Sequence, residues 1–177
     1  GNALFALHRY PEALQAFDEA LEIMPTSYLT WHNRGSLLQD GLKDLKGAIA
    51  SYDKALEINP NFFNAWRDRG FALNQLNQHQ KAINSFQSAL AINSNDYKSL
   101  VGKGIALASL NRGTEALATF DRATQLQPRD LFVWINRGAV AEKWGSRAQA
   151  CESYQKASEI NPTFPPAAQA IIRLGCK

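Results

Sequence analysis

Glycine recurs in this chain at Gly1, Gly35, Gly70, Gly104 and Gly138, at steps of 34, 35, 34 and 34 residues. A period near 34 constrains the fold more than any other feature, because it means that one supersecondary unit is used several times over. Other columns keep the same step: Ala13, Ala48, Ala82, Ala116 and Ala150; Phe17, Tyr52, Phe86, Phe120 and Tyr154; Ala20, Ala55, Ala89, Ala123 and Ala157. Trp31, Trp66 and Trp134 stand four residues before their glycines, with Leu100 in the remaining place. Pro25, Pro60, Pro128 and Pro162 close the units, and Ser94 replaces the fifth proline.

The columns predict helices. In residues 79–92, Ala82, Ile83, Phe86, Ala89 and Leu90 fall on one face of a 3.6-residue period. Small residues in register let two helices approach closely, and the aromatic residue between them fills the next gap. Glycine inside a helix costs about 1 kcal/mol relative to alanine, so its recurrence requires a packing reason, which close contact between paired helices supplies. Proline stops the second helix of each unit. Thr26, Ser27, Asn61, Asn95, Asp96, Asp130 and Thr163 stand where the following helix needs a capping oxygen. One such unit cannot hide its apolar face alone, so neighbours stack into a solenoid with a concave and a convex side. The single extra residue lies between Leu38 and Ala48, where Gly41 and Gly47 predict that the turn inside the unit absorbs it.

These residues resemble the tetratricopeptide repeat family, whose pattern of Trp, Gly, an apolar residue, Ala, an aromatic, Ala and Pro the chain matches nearly throughout. The departures are Leu100, Ser94, Ala141 in the apolar column and the one extra residue. The resemblance implies an all-α fold, a right-handed α-solenoid of stacked helix-turn-helix repeats. It divides the chain into a truncated repeat at 1–27, repeats at 28–62, 63–96, 97–130 and 131–164, and a C-terminal capping helix at 165–177, together one superhelical domain of a longer protein. The truncated N-terminal edge is expected to bare apolar surface and self-associate. The Trp-x-Asn-Arg-Gly variant at Trp31–Gly35 and Trp134–Gly138 is similar to bacterial arrays.

Composition argues against several functions. With 19 Lys and Arg against 16 Asp and Glu, the net charge is +3 and no basic run tracks a phosphate backbone, so nucleic acid is not the expected partner. No apolar stretch approaches the ~18 residues of a membrane span. Cys151 and Cys176 form no CxxC pair, and Cys151 reads as a small buried residue; a reducing, cytoplasmic setting is expected. His8, His32 and His79 fall at different repeat positions and offer no metal-ligand spacing, which leaves them as exposed or groove-lining residues. No nucleotide-binding glycine motif or serine elbow is present. No cofactor is expected, and the chain is not expected to be an enzyme.

In the family that this chain resembles, positions two, five, nine, twelve and thirteen of each repeat line the concave groove. Carried over, these name a polar half with His32, Asn64, Arg67 and Asn74, and a half with an apolar strip. Phe71, Val101, Ile105, Phe132 and Ile135 are expected to seat an extended or helical segment of a partner protein, oriented by Arg67, Asn74 and Lys98; the alternative is that the apolar ones pack against neighbouring helices. Chaperone C-terminal tails are not expected as partners, because of the positions that in the family grip the tail carboxylate only Lys98 fits and Asp68 repels. Arg34, Arg69, Lys103 and Arg137 precede the column glycines as a basic ladder, which either attracts acidic partners or pairs with helix acids such as Asp53 and Asp121. The expected function is a non-catalytic protein–protein interaction scaffold. Alternatives are the docking or regulatory arm of a larger enzyme such as a protein kinase or glycosyltransferase, and self-assembly through exposed repeat ends.

Overall fold

The computed structural model describes residues 1–176, and Lys177, the last residue of the expected cap, lies outside them. Among the described residues there are eleven α-helices: α1 (Asn2–Ala6), α2 (Tyr10–Ile23), α3 (Tyr28–Ser36), α4 (Leu45–Ile58), α5 (Phe63–Gln75), α6 (His79–Ile92), α7 (Tyr97–Ser109), α8 (Gly113–Leu126), α9 (Leu131–Trp144), α10 (Arg147–Ile160) and α11 (Pro165–Leu174). The chain divides into two compact units, Gly1–Ser94 and Asn95–Lys177. In the first, α3 pairs with α4 and α5 with α6, and α4 stacks on α5; in the second, α7 pairs with α8 and α9 with α10, and α11 covers α10. This is the all-α, helix-turn-helix solenoid class that the columns predict.

The glycine column works by proximity. A Cβ built on Gly35, Gly70, Gly104 or Gly138 would come within 2.6, 2.7, 2.8 and 2.8 Å of a ring carbon of Tyr52, Phe86, Phe120 and Tyr154 in turn. Phe86 and Phe120 are wholly buried, and full burial of such a side chain contributes about 1.5–3 kcal/mol. The alanine columns at Ala48, Ala82, Ala116 and Ala150, and at Ala55, Ala89, Ala123 and Ala157, are buried without residue. In the first unit the next layer closes with Ala55, Leu56 and Ala65 under Tyr28, Trp31, Phe62 and Trp66.

Successive repeats are joined by a polar clamp. The Trp31, Trp66 and Trp134 indoles donate to the carbonyls of Pro25, Pro60 and Pro128 at 2.8–2.9 Å. The arginine three residues later lies over the same indole, 5.7–5.8 Å from the ring centre. Arg34, Arg69 and Arg137 each donate from Nε to an aspartate of the preceding repeat, Asp18, Asp53 and Asp121, at 2.6 Å. Each also donates from Nη1 to a serine of its own repeat, Ser51, Ser85 and Ser153. The corresponding residues of the remaining repeat are Gln87, Ser94, Leu100 and Lys103. The division between the two compact units falls among them.

The extra residue of the first complete repeat forms a π-helical turn, Leu37–Gly41, at the end of α3, which widens the helix by one residue without displacing Leu37 or Leu38 from the core. Gly47 belongs instead to α4, where its N–H donates to the capping Asp44 carboxylate at 2.9 Å. Of the expected caps, Ser27, Asp96 and Asp130 close α3, α7 and α9. Asn61 and Thr163 do not, because Phe62 and Phe164 take the capping positions with no side-chain bond. Ser146 forms a full capping box with Gln149 on α10.

One expectation is overturned. Cys151 is not a free buried thiol: it is bonded to Cys176, with S–S 2.01 Å and Cα–Cα 5.5 Å. The pairing joins residues 25 apart through the α10–α11 hairpin, a proximity that no local spacing motif reports. It also removes the ground on which a reducing compartment was expected.

Candidate functional site

The polar half of the expected groove lies on α3 and α5 and is largely occupied by its own chain. His32 Nε2 donates to Asp68 Oδ2 at 2.9 Å, and Arg67 Nε donates to Asp68 Oδ1 at 2.9 Å. The His32 ring rests against Phe62 and Tyr52, with centroids 5.0 and 5.5 Å away. Burial opposes ionisation of Asp68, but the hydrogen bonds and charges of His32 and Arg67 outweigh it and hold the carboxyl below its ordinary range. Burial pushes the Tyr52 hydroxyl up, well above the usual phenol range. Phe71 is half-buried, edge-on to Phe86 with centroids 5.1 Å apart, so packing is the role the structure shows for it. Asn74 accepts from His79 Nδ1 at 3.2 Å, and Asn64 is half-buried on the same helix.

The apolar half lies on α7 and α9 in the second unit. Lys98 is exposed, and Val101 and Ile135 are half-buried. Phe132 is 64% exposed, although its ring meets Phe164 edge-on at 6.2 Å; Ile105 is 39% exposed. Ile105 opens onto a cavity of about 290 Å³ shared with Ala108, Ser109, Asn136, Ala139 and Trp144, and floored by Phe120 and Val140. Phe132, Val101 and Ile135 are not among its lining residues. Carried-over repeat positions did not name Asn136 or Trp144 for this site. The available signal for Trp144 is that it alone among the four tryptophans stands outside the column.

Trp144 is held by two contacts. Gly113, the first residue of α8, lies beneath it so closely that a Cβ there would overlap the Trp144 side chain. Lys143 Nζ sits 4.1 Å from the indole centre and donates to Asn111 Oδ1 at 3.2 Å. Beside it, Glu142 accepts from Arg173 and Tyr154, and the Arg173 hydrogen bond holds its carboxyl low. The arrangement offers an apolar hollow with a polar rim and no nucleophile–base pair. Among the described residues, no group of three or more His, Cys, Asp and Glu is placed to hold a metal ion, and no helix is long and apolar enough to cross a membrane.

The basic ladder does not present free cations at three of its four rungs. Arg34, Arg69 and Arg137 are consumed by the clamps, the pairing with Asp53 and Asp121 that the sequence offered as the alternative. Lys103 acts electrostatically on Glu115.

Repeated helix pairs and glycine–aromatic contacts define a helical repeat protein. The chain belongs to the tetratricopeptide repeat family: models described as tetratricopeptide repeat match residues 1–27, 75–130 and 133–164, and one described as TPR repeat matches 42–76. Among curated protein sequences none matches this chain. Solved structures similar to it include the 41-end segment of MamA from Desulfovibrio magneticus RS-1, at 20% identity and TM-score 0.85, covering 92% of this chain and 91% of that one. YrrB, described as a TPR protein with an unusual peptide-binding site, is 26% identical with TM-score 0.81, covering 96% and 87%. PilW, described as a widely conserved type IV pilus biogenesis factor, is 22% identical with TM-score 0.82, covering 97% and 86%.

Proposed function

We propose that this chain is a non-catalytic scaffold that captures a peptide or helical segment of a partner protein on the open face of α7 and α9. The observation that carries this is the exposure of Phe132 and Ile105 beside the cavity at Trp144. Large apolar side chains left open around a concavity mark an interaction site. A cavity of this size admits one or two apolar side chains, while Asn136 and Ser109 at its rim are suited to peptide amides. Peptide binding by YrrB, as its description states, supports the same mode here. Of the expected residues, Lys98, Ile105 and Phe132 are open to a partner.

The test is selection of binders from a phage-displayed library of random peptides, followed by affinity measurement. Ile105→Glu and Phe132→Glu are expected to weaken a selected peptide by at least about 30-fold, the loss of a hot-spot contact, with helicity unchanged. Binding that survives both changes would overturn the proposal.

Self-assembly keeps one specific observation in its favour. Leu7, Ile23 and Met24, at the ends of α1 and α2, are 66, 85 and 59% exposed. A concentration-dependent mass abolished by Ile23→Lys with Met24→Lys would establish it; a constant mass would remove it. The paired cysteines favour an oxidising compartment over the cytoplasmic one expected from the sequence.

A further inference from the structure

The end of the second unit carries chemistry that partner capture does not use. Cys151 lies in the second turn of α10, and Cys176 follows α11 by two residues. The position of Cys176 is set by how α11 ends. Gly175 adopts the left-handed conformation at φ +58°, the Cys176 N–H donates to the Ile171 carbonyl at 3.0 Å, and Arg147 donates to the Gly175 carbonyl at 2.9 Å.

The other contacts of α11 are modest. It has ten residues, below the ~12–15 that an isolated helix needs to be even marginally stable. No side chain caps its N-terminus; it buries Ala167 and Ala170 and half-buries Ala168, Ile171 and Leu174. Its ion pair to α9, Arg173 with Glu142, has the arginine 62% exposed. The covalent bond at its far end is therefore a principal restraint. The sulfurs are also reachable: both cysteines are half-buried, and with Arg147, Ala148 and Gly175 they line a surface cavity of about 480 Å³.

We propose that Cys151 and Cys176 form a thiol–disulfide switch that latches α11 onto α10, operated by small thiols and disulfides of the glutathione class. In opening, a thiolate attacks one of the two sulfurs, forming a mixed disulfide and expelling the other cysteine as thiolate. A second thiolate attacks the sulfur of the first, releasing a small-molecule disulfide and the second cysteine. Two electrons pass to the protein, and solvent protonates the thiolates. In closing, the same two exchanges run backwards with the small disulfide as oxidant.

Opening frees the helix that covers the last repeat. Ala167 stands in the column of Ala65, Ser99 and Val133, and its register partner Ala157 is fully buried; release bares that face of α10. Phe164, which precedes α11, packs against Phe132, so the latch also bears on the exposed apolar surface. That last consequence alone rests on the function proposed above.

The test uses the full chain in oxidised glutathione and in dithiothreitol, read by alkylation mass spectrometry and by amide hydrogen exchange. Under oxidising conditions the cysteines resist alkylation, carry no glutathione, and residues 165–176 are protected. Under reduction both alkylate, and exchange in 165–176 quickens by about tenfold or more while residues 97–145 are unchanged. Cys151→Ser with Cys176→Ser gives the fast exchange in both conditions; should that variant not fold, the wild-type comparison decides. Equal exchange of α11 in the two conditions, free thiols or glutathione adducts under oxidation, or loosening throughout the second unit would each overturn the proposal.

Discussion

Adding one methyl group at Gly70 tests the close helix approach on which the repeat depends. A Cβ there meets three ring carbons of Phe86 at 2.7, 2.8 and 2.9 Å, whereas carbons in contact sit at about 3.5 Å or more. The ring must withdraw by roughly 0.7 Å, and Phe86 has no exposed surface toward which to move. Overpacking of that kind costs about 2–3 kcal/mol, the upper half of its usual range, against a helix-propensity gain of about 1 kcal/mol. Gly70→Ala is therefore expected to destabilise the chain by about 1–2 kcal/mol. In a Phe86→Leu background the clash disappears and the propensity gain remains, so the same substitution stabilises by about 1 kcal/mol. Urea unfolding followed by far-ultraviolet circular dichroism of the four proteins measures both effects. The reversal of sign is the signature, and a Gly70→Ala that stabilises the wild-type chain would refute it.

Arg137 is nearly buried and its guanidinium serves Asp121, Ser153, Glu152 and the Gln149 carbonyl; Arg137→Met is expected to cost about 1–3 kcal/mol in urea unfolding, more than Arg69→Met, whose arginine is better solvated. Asp68 has a folded pKa below its unfolded one, so the stability it adds is complete above about pH 4 and is lost as pH falls toward the folded value. Asp68→Asn should flatten the unfolding midpoint against pH between about 4 and 2, and an unchanged slope would exclude the His32–Asp68–Arg67 network as its source. Gly113→Ala displaces the Trp144 side chain, and the Trp144 indole resonance should shift with it in an NMR spectrum while Trp31 and Trp66 keep theirs.

The repeat, its helix pairs and the close helix approach at the glycines were legible because each residue type recurs in a fixed column. Periodicity reports packing that every repeat shares, and the arginine–aspartate pairing at Asp53 and Asp121 was visible for that reason. Features that occur once escaped it. The π turn at Leu37–Gly41 shows in sequence as an insertion without a shape. The Cys151–Cys176 bond depends on α11 folding back on α10, which spacing does not encode. The engagement of His32 and Arg67 with Asp68 is a matter of three-dimensional distance. On the apolar face, column positions named Ile105 and Phe132, whereas Trp144 enters through the glycine beneath it at Gly113, a contact between the last two complete repeats.

The four tryptophans provide the most direct measurement of where a partner segment sits. The indoles of Trp31, Trp66 and Trp134 are tied to proline carbonyls, while Trp144 lines the cavity with Ile105 and Asn136. Titration of a selected peptide into nitrogen-15-labelled protein should move the Trp144 indole resonance, together with the amides of Ile105, Ser109 and Ala139, and leave the other three indoles in place. Saturating peptide that leaves Trp144 unmoved while another indole shifts would place binding elsewhere and contradict the assignment of this face.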